Sequence, residues 1–158
     1  MAETTIQMTG ALAPREGWTA DRCPMAHALD VVRNRSSFLV LREAFYGATR
    51  FEEFAERTGL SEPVTAARLR ELTEEGLLAR EPYQEPGQRT RRLYRLTDKG
   101  ADLVPVLVAL MQWGDKWVLP GGARVEIRHQ GCGSHVTAEL RCEHGHAVGR
   151  DELELARR

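Results

Sequence analysis

Apolar and polar positions alternate with helical spacing over most of the first hundred residues. Ala26 to Val32 forms a short apolar run behind Pro24, read as a helix, and Asp30 to Tyr46 continues as a second helical stretch. Phe38, Leu39, Leu41 and Phe45 lie on overlapping apolar rows of that stretch, which closes at Gly47. Phe51, Phe54 and Ala55 stand at i, i+3 and i+4, predicting a helix over 51–57 that Thr58-Gly59 breaks. Ser61 suits the N-cap of the next helix, with Glu62 and Pro63 tolerated in its first turn. Thr65, Leu69 and Leu72 fall at i, i+4 and i+7, so one face of a 61–75 helix is buried, and Gly76 ends it. Two helices joined by a tight glycine-containing turn make a helix-turn-helix.

The period then changes. Leu77 to Tyr83 reads as a strand, Gln84 to Gln88 as a turn and Arg92 to Leu96 as the returning strand. A hairpin directly behind a helix-turn-helix is a wing. Thr97 caps a long helix from Asp98 to about Val118, striped by Val104, Leu107, Leu110, Met111 and Trp117 and expected to kink at Pro105. Pro120-Gly121-Gly122 ends it. Residues 123–158 read as a small hairpin unit (Val125 to His129 with Val136 to Arg141) followed by an acidic helix from Asp151. The predicted organisation is a loose arm over 1–20, a winged-helix domain over 21–119 and a small extension over 120–158. The fold class is mainly α with a small β wing.

Charge sharpens this picture. The 158 residues carry net charge −1, which excludes a uniformly basic polyanion coat. All but Lys99 and Lys116 of the 22 basic residues are arginines, the better phosphate and guanine binders. Arg89, Arg91, Arg92, Arg95 and Lys99 cluster against Asp98 alone, so the wing is a local cationic hairpin on a neutral protein. No apolar run reaches the roughly 18 residues of a membrane span. Met1 to Ala20 lacks the pattern of a secretory leader, so a cytoplasmic protein is expected. The nucleophile elbow, Walker loop, HExxH and dinucleotide fingerprints are absent, and an enzyme is not expected.

A helix entering the major groove needs small or polar residues for close approach and one or two long donors. Ser61 at the tip, Ala66, Ala67, Arg68 and Arg70 supply these, the alanines for a thymine methyl and the arginines for guanine or phosphate. Arg89, Arg91 and Arg92 of the wing are expected on phosphate or in the minor groove of double-stranded DNA.

Several segments resemble the HxlR family of bacterial winged-helix regulators. They are Cys23-Pro24-Met25, Phe38-Leu39-Val40-Leu41-Arg42-Glu43, Arg50-Phe51-Glu52-Glu53-Phe54, Arg68-Leu69-Arg70-Glu71-Leu72, Tyr94-Arg95-Leu96-Thr97-Asp98-Lys99-Gly100 and Gln112-Trp113-Gly114. The likeness covers residues 22–118. It implies a homodimer held by the N-terminal and long C-terminal helices, acting on a pseudo-palindromic operator, more often as a repressor. The chain departs from the family at Asn34-Arg35-Ser36, where Gly-Lys-Trp is usual, and at Pro63, where a basic residue is frequent. A winged-helix adaptor that binds protein instead of DNA is the alternative reading.

Three candidates for control follow. Cys23 precedes a helix and stands beside Arg22, and in several members of the resembled family a cysteine here senses oxidants or electrophiles. A small aromatic effector enclosed at a helical dimer interface by Phe38, Phe45, Met111, Trp113 and Trp117 is a second. Third, His129-x2-Cys132 and Cys142-x-His144 resemble a degraded zinc ribbon, so a structural zinc in the extension is a candidate cofactor. The odd cysteine count argues against a disulfide framework.

Overall fold

The computed structural model describes residues 6–8, 19, 21–84 and 91–156. In chain order the elements are β1 (Gln7–Met8), α1 (Pro24–Val32), α2 (Arg35–Phe45), α3 (Phe51–Thr58), α4 (Glu62–Glu74), β2 (Leu78–Tyr83), β3 (Arg91–Leu96), α5 (Asp98–Ala101), α6 (Val104–Trp117) and β4 (Glu154–Leu155). β2 and β3 pair antiparallel from Leu78 opposite Leu96 to Tyr83 opposite Arg91. Arg50 bridges Leu93, which ties the start of α3 to the wing. The architecture is a winged helix with an appended C-terminal unit.

The core lies where α2, α3, α4, the wing base and α6 meet. Val40, Leu41, Phe54, Leu69, Leu72, Leu77, Leu78 and Leu107 are buried there. Each such side chain contributes roughly 1.5–3 kcal/mol over its exposed state. Phe54 meets the edge of Tyr94 at right angles, with ring centroids 6.2 Å apart. The helix-turn-helix bend rests on Gly59, left-handed at φ 67°, whose N–H donates to Ala55 O. Thr97 fastens the wing to the far end of α4. Its hydroxyl donates to Gly76 O at 2.7 Å and accepts from Gly100 N at 3.1 Å. Gly100 is buried against the backbone, and a Cβ there would stand 2.1 Å from Leu77 O.

Four expectations are corrected. The run from 30 to 46 is not continuous. Arg33 turns out at φ 65°, and Asn34 caps α2 by accepting from Ser37 N at 3.1 Å. The long helix after Thr97 is two helices separated at Asp102–Leu103. Pro105 does not kink it but occupies the first turn of α6, where its missing N–H costs nothing. The acidic helix from Asp151 is absent, and Glu154–Leu155 instead pairs parallel with Gln7–Met8. The alternation Glu152-Leu153-Glu154-Leu155 has period two, the strand signature. The hairpin of the extension forms over fewer residues, 127–129 against 134–136, and a second small one follows it. Arg128 bridges His135 and Arg141 bridges Ala147, while Val136 N still donates to Ile127 O.

The extension sits on α6 through Gln112. Its Nε2 donates to Val136 O at 2.7 Å and its Oε1 accepts from Ala138 N at 3.0 Å. Asp115 Oδ1 accepts from Ala123 N at the other end of the contact.

Candidate nucleic-acid interface

The helix expected to read DNA is α4. Thr65, Leu69 and Leu72 anchor it in the core, and the Thr65 hydroxyl donates to Ser61 O at 3.1 Å. This face is buried as the spacing required. The opposite side is open, with Ser61, Ala66 and Arg70 exposed and Ala67 half-buried. Ser61 is the N-cap by position, yet its hydroxyl makes no capping bond.

The two candidate arginines of α4 separate sharply. Arg70 is 66% exposed and only loosely associated with Glu74, at 3.9 Å. Arg68 is 18% exposed and locked to Glu71 by two contacts of 2.8 Å, Nη2 to Oε1 and Nη1 to Oε2. A held, half-buried fork of this kind belongs to the packing of α4.

The wing supplies a second cationic element. Arg91 and Arg92 are exposed, whereas Arg89 lies outside the described residues. With Arg50, Phe51, Glu52, Tyr83, Leu93 and Tyr94 they line a hollow of about 350 Å³. Arg50 is the residue that sequence reasoning missed. It is the N-cap of α3, stacks over the Tyr83 ring at 5.3 Å and donates from Nη2 to the Tyr83 hydroxyl at 3.1 Å. Glu53 closes the same helix start, accepting from Thr49 N at 2.8 Å and Arg50 N at 2.9 Å. Those backbone bonds, that of Thr49 foremost, hold the Glu53 carboxyl below its usual range. Arg91 lies 3.7 Å from Glu52. Arginines at the start of a helix and on an adjoining strand suit an anionic oxygen such as a backbone phosphate.

Of the control candidates, Cys23 is half-buried at the N-cap of α1, where the sequence put it. Phe38 and Phe45 pack against the core, while Trp113 and Trp117 are 60% and 68% exposed on the single chain. In the extension, His129 Nδ1 and Cys132 Sγ are 3.1 Å apart. Cys142 is exposed in the second loop, and the His144 and His146 rings are 6.3 Å apart. Among the described residues no group of three or more His, Cys, Asp or Glu is arranged to hold a metal. The Cys132 thiol is instead drawn down to about 7, by the Ser134 hydroxyl first, then Ser134 N–H and His129. No helix among the described residues is long and apolar enough to cross a membrane.

The comparisons with known proteins agree with this geometry. The model of the HxlR-like helix-turn-helix family matches residues 31–121. Rv3095 of Mycobacterium tuberculosis, named as an uncharacterized HTH-type transcriptional regulator, is 42% identical over 121 residues, which is 76% of this chain and 75% of that protein. The crystal structure of PA1607, described as a candidate transcription factor, has 36% identity and a TM-score of 0.77 over 87% of this chain and 96% of that one. The oxidised form of the redox regulator HypR gives 27% identity and a TM-score of 0.54. It covers 60% of this chain and 96% of its own. The extension is thus outside the span of the family model, and the likeness to PA1607 reaches further along the chain than that to HypR.

Proposed function

The chain belongs to the HxlR family of helix-turn-helix transcription regulators, a winged-helix DNA-binding class, and from that premise we propose that it is a repressor acting as a homodimer on a pseudo-palindromic operator. The observation that carries this reading is the pairing of two exposed features on a buried frame. The outer side of α4 offers Ser61, Ala66 and Arg70, and the wing base gathers Arg50, Arg91 and Arg92. The first reads base edges in the major groove, and the second grips phosphate. Arg68, held by Glu71, is the less available of the two arginines of α4.

Two copies are needed to cover the apolar stripe of α1 and α6. Met25, Leu29, Val106, Leu110, Trp113 and Trp117 are all between 45% and 68% exposed in one chain. Val106, Leu110, Trp113 and Trp117 follow one another at i, i+4, i+7 and i+11 along α6, and an exposed apolar stripe of this kind marks a protein interface. Two-fold pairing through these helices places one α4 on each half-site, and a dimer seated across a promoter excludes polymerase. Release by an oxidant or electrophile is supported by the likeness to a named redox regulator and by two thiols in suitable places, Cys23 at a helix N-terminus and Cys132 beside His129.

The test is a fluorescence-anisotropy titration of the promoter DNA beside its own gene, over a range of salt, in reducing buffer and after a quinone. Tight, steeply salt-dependent binding is expected in reducing buffer. Binding lost with quinone but retained by Cys23→Ser or Cys132→Ser identifies the sensing thiol. Binding indifferent to quinone in both removes the thiol switch. No binding at low salt overturns the DNA reading and leaves the protein adaptor.

A further inference from the structure

Helix α6 presents three different faces. Leu107 points into the core, while Val106, Leu110, Trp113 and Trp117 form the exposed stripe that a second copy is expected to cover. The third face, running through Val108, Met111, Gln112 and Asp115 at i, i+3, i+4 and i+7, lies under the C-terminal extension. That contact is not closed. A cavity of about 380 Å³ separates the helix from the extension. Val108 and Met111 form its helix wall, and Val125, Ile127 and Val136 the opposite one.

The two walls are fastened by polar bonds at their edges instead of by apolar contact. Gln112 takes Val136 O and Ala138 N, and Asp115 takes Ala123 N. The space is a cleft open to solvent on one side, with Val125 of its wall 64% exposed, so its apolar lining is left facing water. Its volume is within the roughly 300–1,000 Å³ range of small-molecule sites. The polar residues of the lining are Gln112, Asp115, Glu126, His135 and Thr137, two of them carboxylates. Glu126 is held in place by His135 Nδ1 at 2.9 Å and by Arg128. Two carboxylates disfavour an anion and match a donor.

We propose that this cavity is a binding site for a small hydrophobic molecule of two or three rings carrying an N–H or amine donor, and that it is the effector site of the regulator. The second part rests on the DNA-binding reading, whereas the first does not. The extension wall of the cavity lies beyond residues 31–121 matched by the family model, whereas its α6 wall lies within them. Because α6 bears both the cavity wall and the dimer stripe, an occupant that shifts the helix shifts the two DNA-reading helices relative to each other.

The probe is N-phenyl-1-naphthylamine, an uncharged two-ring-system dye with one N–H whose fluorescence rises in apolar surroundings. It is titrated into the full chain, alone and in the presence of the promoter fragment. The expected result is saturable binding of one dye per chain. Filling the cavity with Val136→Trp, or with Val125→Trp at a position exposed enough to be tolerated, weakens binding roughly tenfold or more, with folding checked by circular dichroism. Trp113→Ala with Trp117→Ala leaves it unchanged. Saturating dye is expected to shift DNA affinity in the parent and not in Val136→Trp. Absence of saturable binding, or binding lost with the two tryptophans and kept by both filled variants, overturns the site. Dye binding with no change in DNA affinity overturns the effector role. Failure to bind DNA without dye counts against the regulator reading and leaves the dye result to judge the cavity.

Discussion

Arg50→Ala tests whether the wing base holds a phosphate. Arg50 lies in the hollow it shares with Arg91 and Arg92, its guanidinium 5.3 Å above the Tyr83 ring. Losing this exposed stacking interaction costs about 0.5–1 kcal/mol of stability, so the variant folds. Its effect on DNA is larger. Each chain supplies one Arg50, so a dimer loses two phosphate contacts, and the slope of log affinity against log salt becomes shallower by about 1.8. Over a fourfold rise in salt the affinity of the parent therefore falls roughly tenfold further than that of the variant. The assay is anisotropy on the operator and on a scrambled duplex at four salt concentrations. The change in slope must be the same on both, because a phosphate carries no sequence. Arg50→Lys is expected to restore the slope, since the point charge returns, while losing the planar stacking. A slope unchanged in Arg50→Ala, when Arg91→Ala with Arg92→Ala lowers it, would refute the reasoning and move the phosphate off the start of α3.

Other outcomes follow from the same geometry. Arg70→Ala is expected to cost roughly 1–3 kcal/mol of operator binding and to relax one base position, measured by competition with single-base operator variants. Arg68→Ala is expected to act on stability instead, by roughly 1–3 kcal/mol in urea unfolding, because it strips Glu71 of its half-buried partner. Gly100→Ala forces a methyl to within 2.1 Å of Leu77 O, and a loss of about 2 kcal/mol or more is expected in the same assay. Cys132, drawn down to about 7, is expected to be the first cysteine alkylated by iodoacetamide at neutral pH, read by mass spectrometry. Hydrogen bonds to the thiolate lower the value, so reactivity rises as pH passes through that region, and Ser134→Ala should move the rise to higher pH.

Local periodicity made the DNA-reading unit legible. Thr65, Leu69 and Leu72 declared the buried face of α4, and the hairpin behind Gly76 could only be a wing. What periodicity does not show is which neighbour a long side chain chooses. Arg68 and Arg70 look alike in sequence, yet an i,i+3 carboxylate at a half-buried position captures the first, and solvent leaves the second open. Arg50 and Tyr83 are 33 residues apart, so only the fold brings them together. Two local signals went unread: Asn34 as an N-cap interrupting a long apolar run, and the period-two pattern at 152–155.

The arginines finally sort by what each must give up to meet DNA. Many carry an acidic partner, which explains how so cationic a wing sits on a chain of net charge −1. An exposed pair contributes about 0–1 kcal/mol, and less as salt rises. Arg70 with Glu74 at 3.9 Å and Arg91 with Glu52 at 3.7 Å are of this kind, both partners being more than half exposed. A phosphate or a guanine edge displaces such a partner, since a bidentate base contact alone contributes roughly 1–3 kcal/mol. Non-specific DNA gives no base contact, so there the carboxylates compete on closer terms and lower the background affinity. Arg68 with Glu71 is the opposite case, hydrogen-bonded from Nη2 to Oε1 at 2.8 Å, with Nη1 2.8 Å from Oε2, and largely out of water. Exchanging it for DNA would leave a half-buried carboxylate without its cation, a loss as large as the stabilisation that a base or phosphate would supply. On the proposed reading, the acidic residues beside the wing and α4 add to the selectivity, holding the arginines loosely enough for an operator and tightly enough against other sequences.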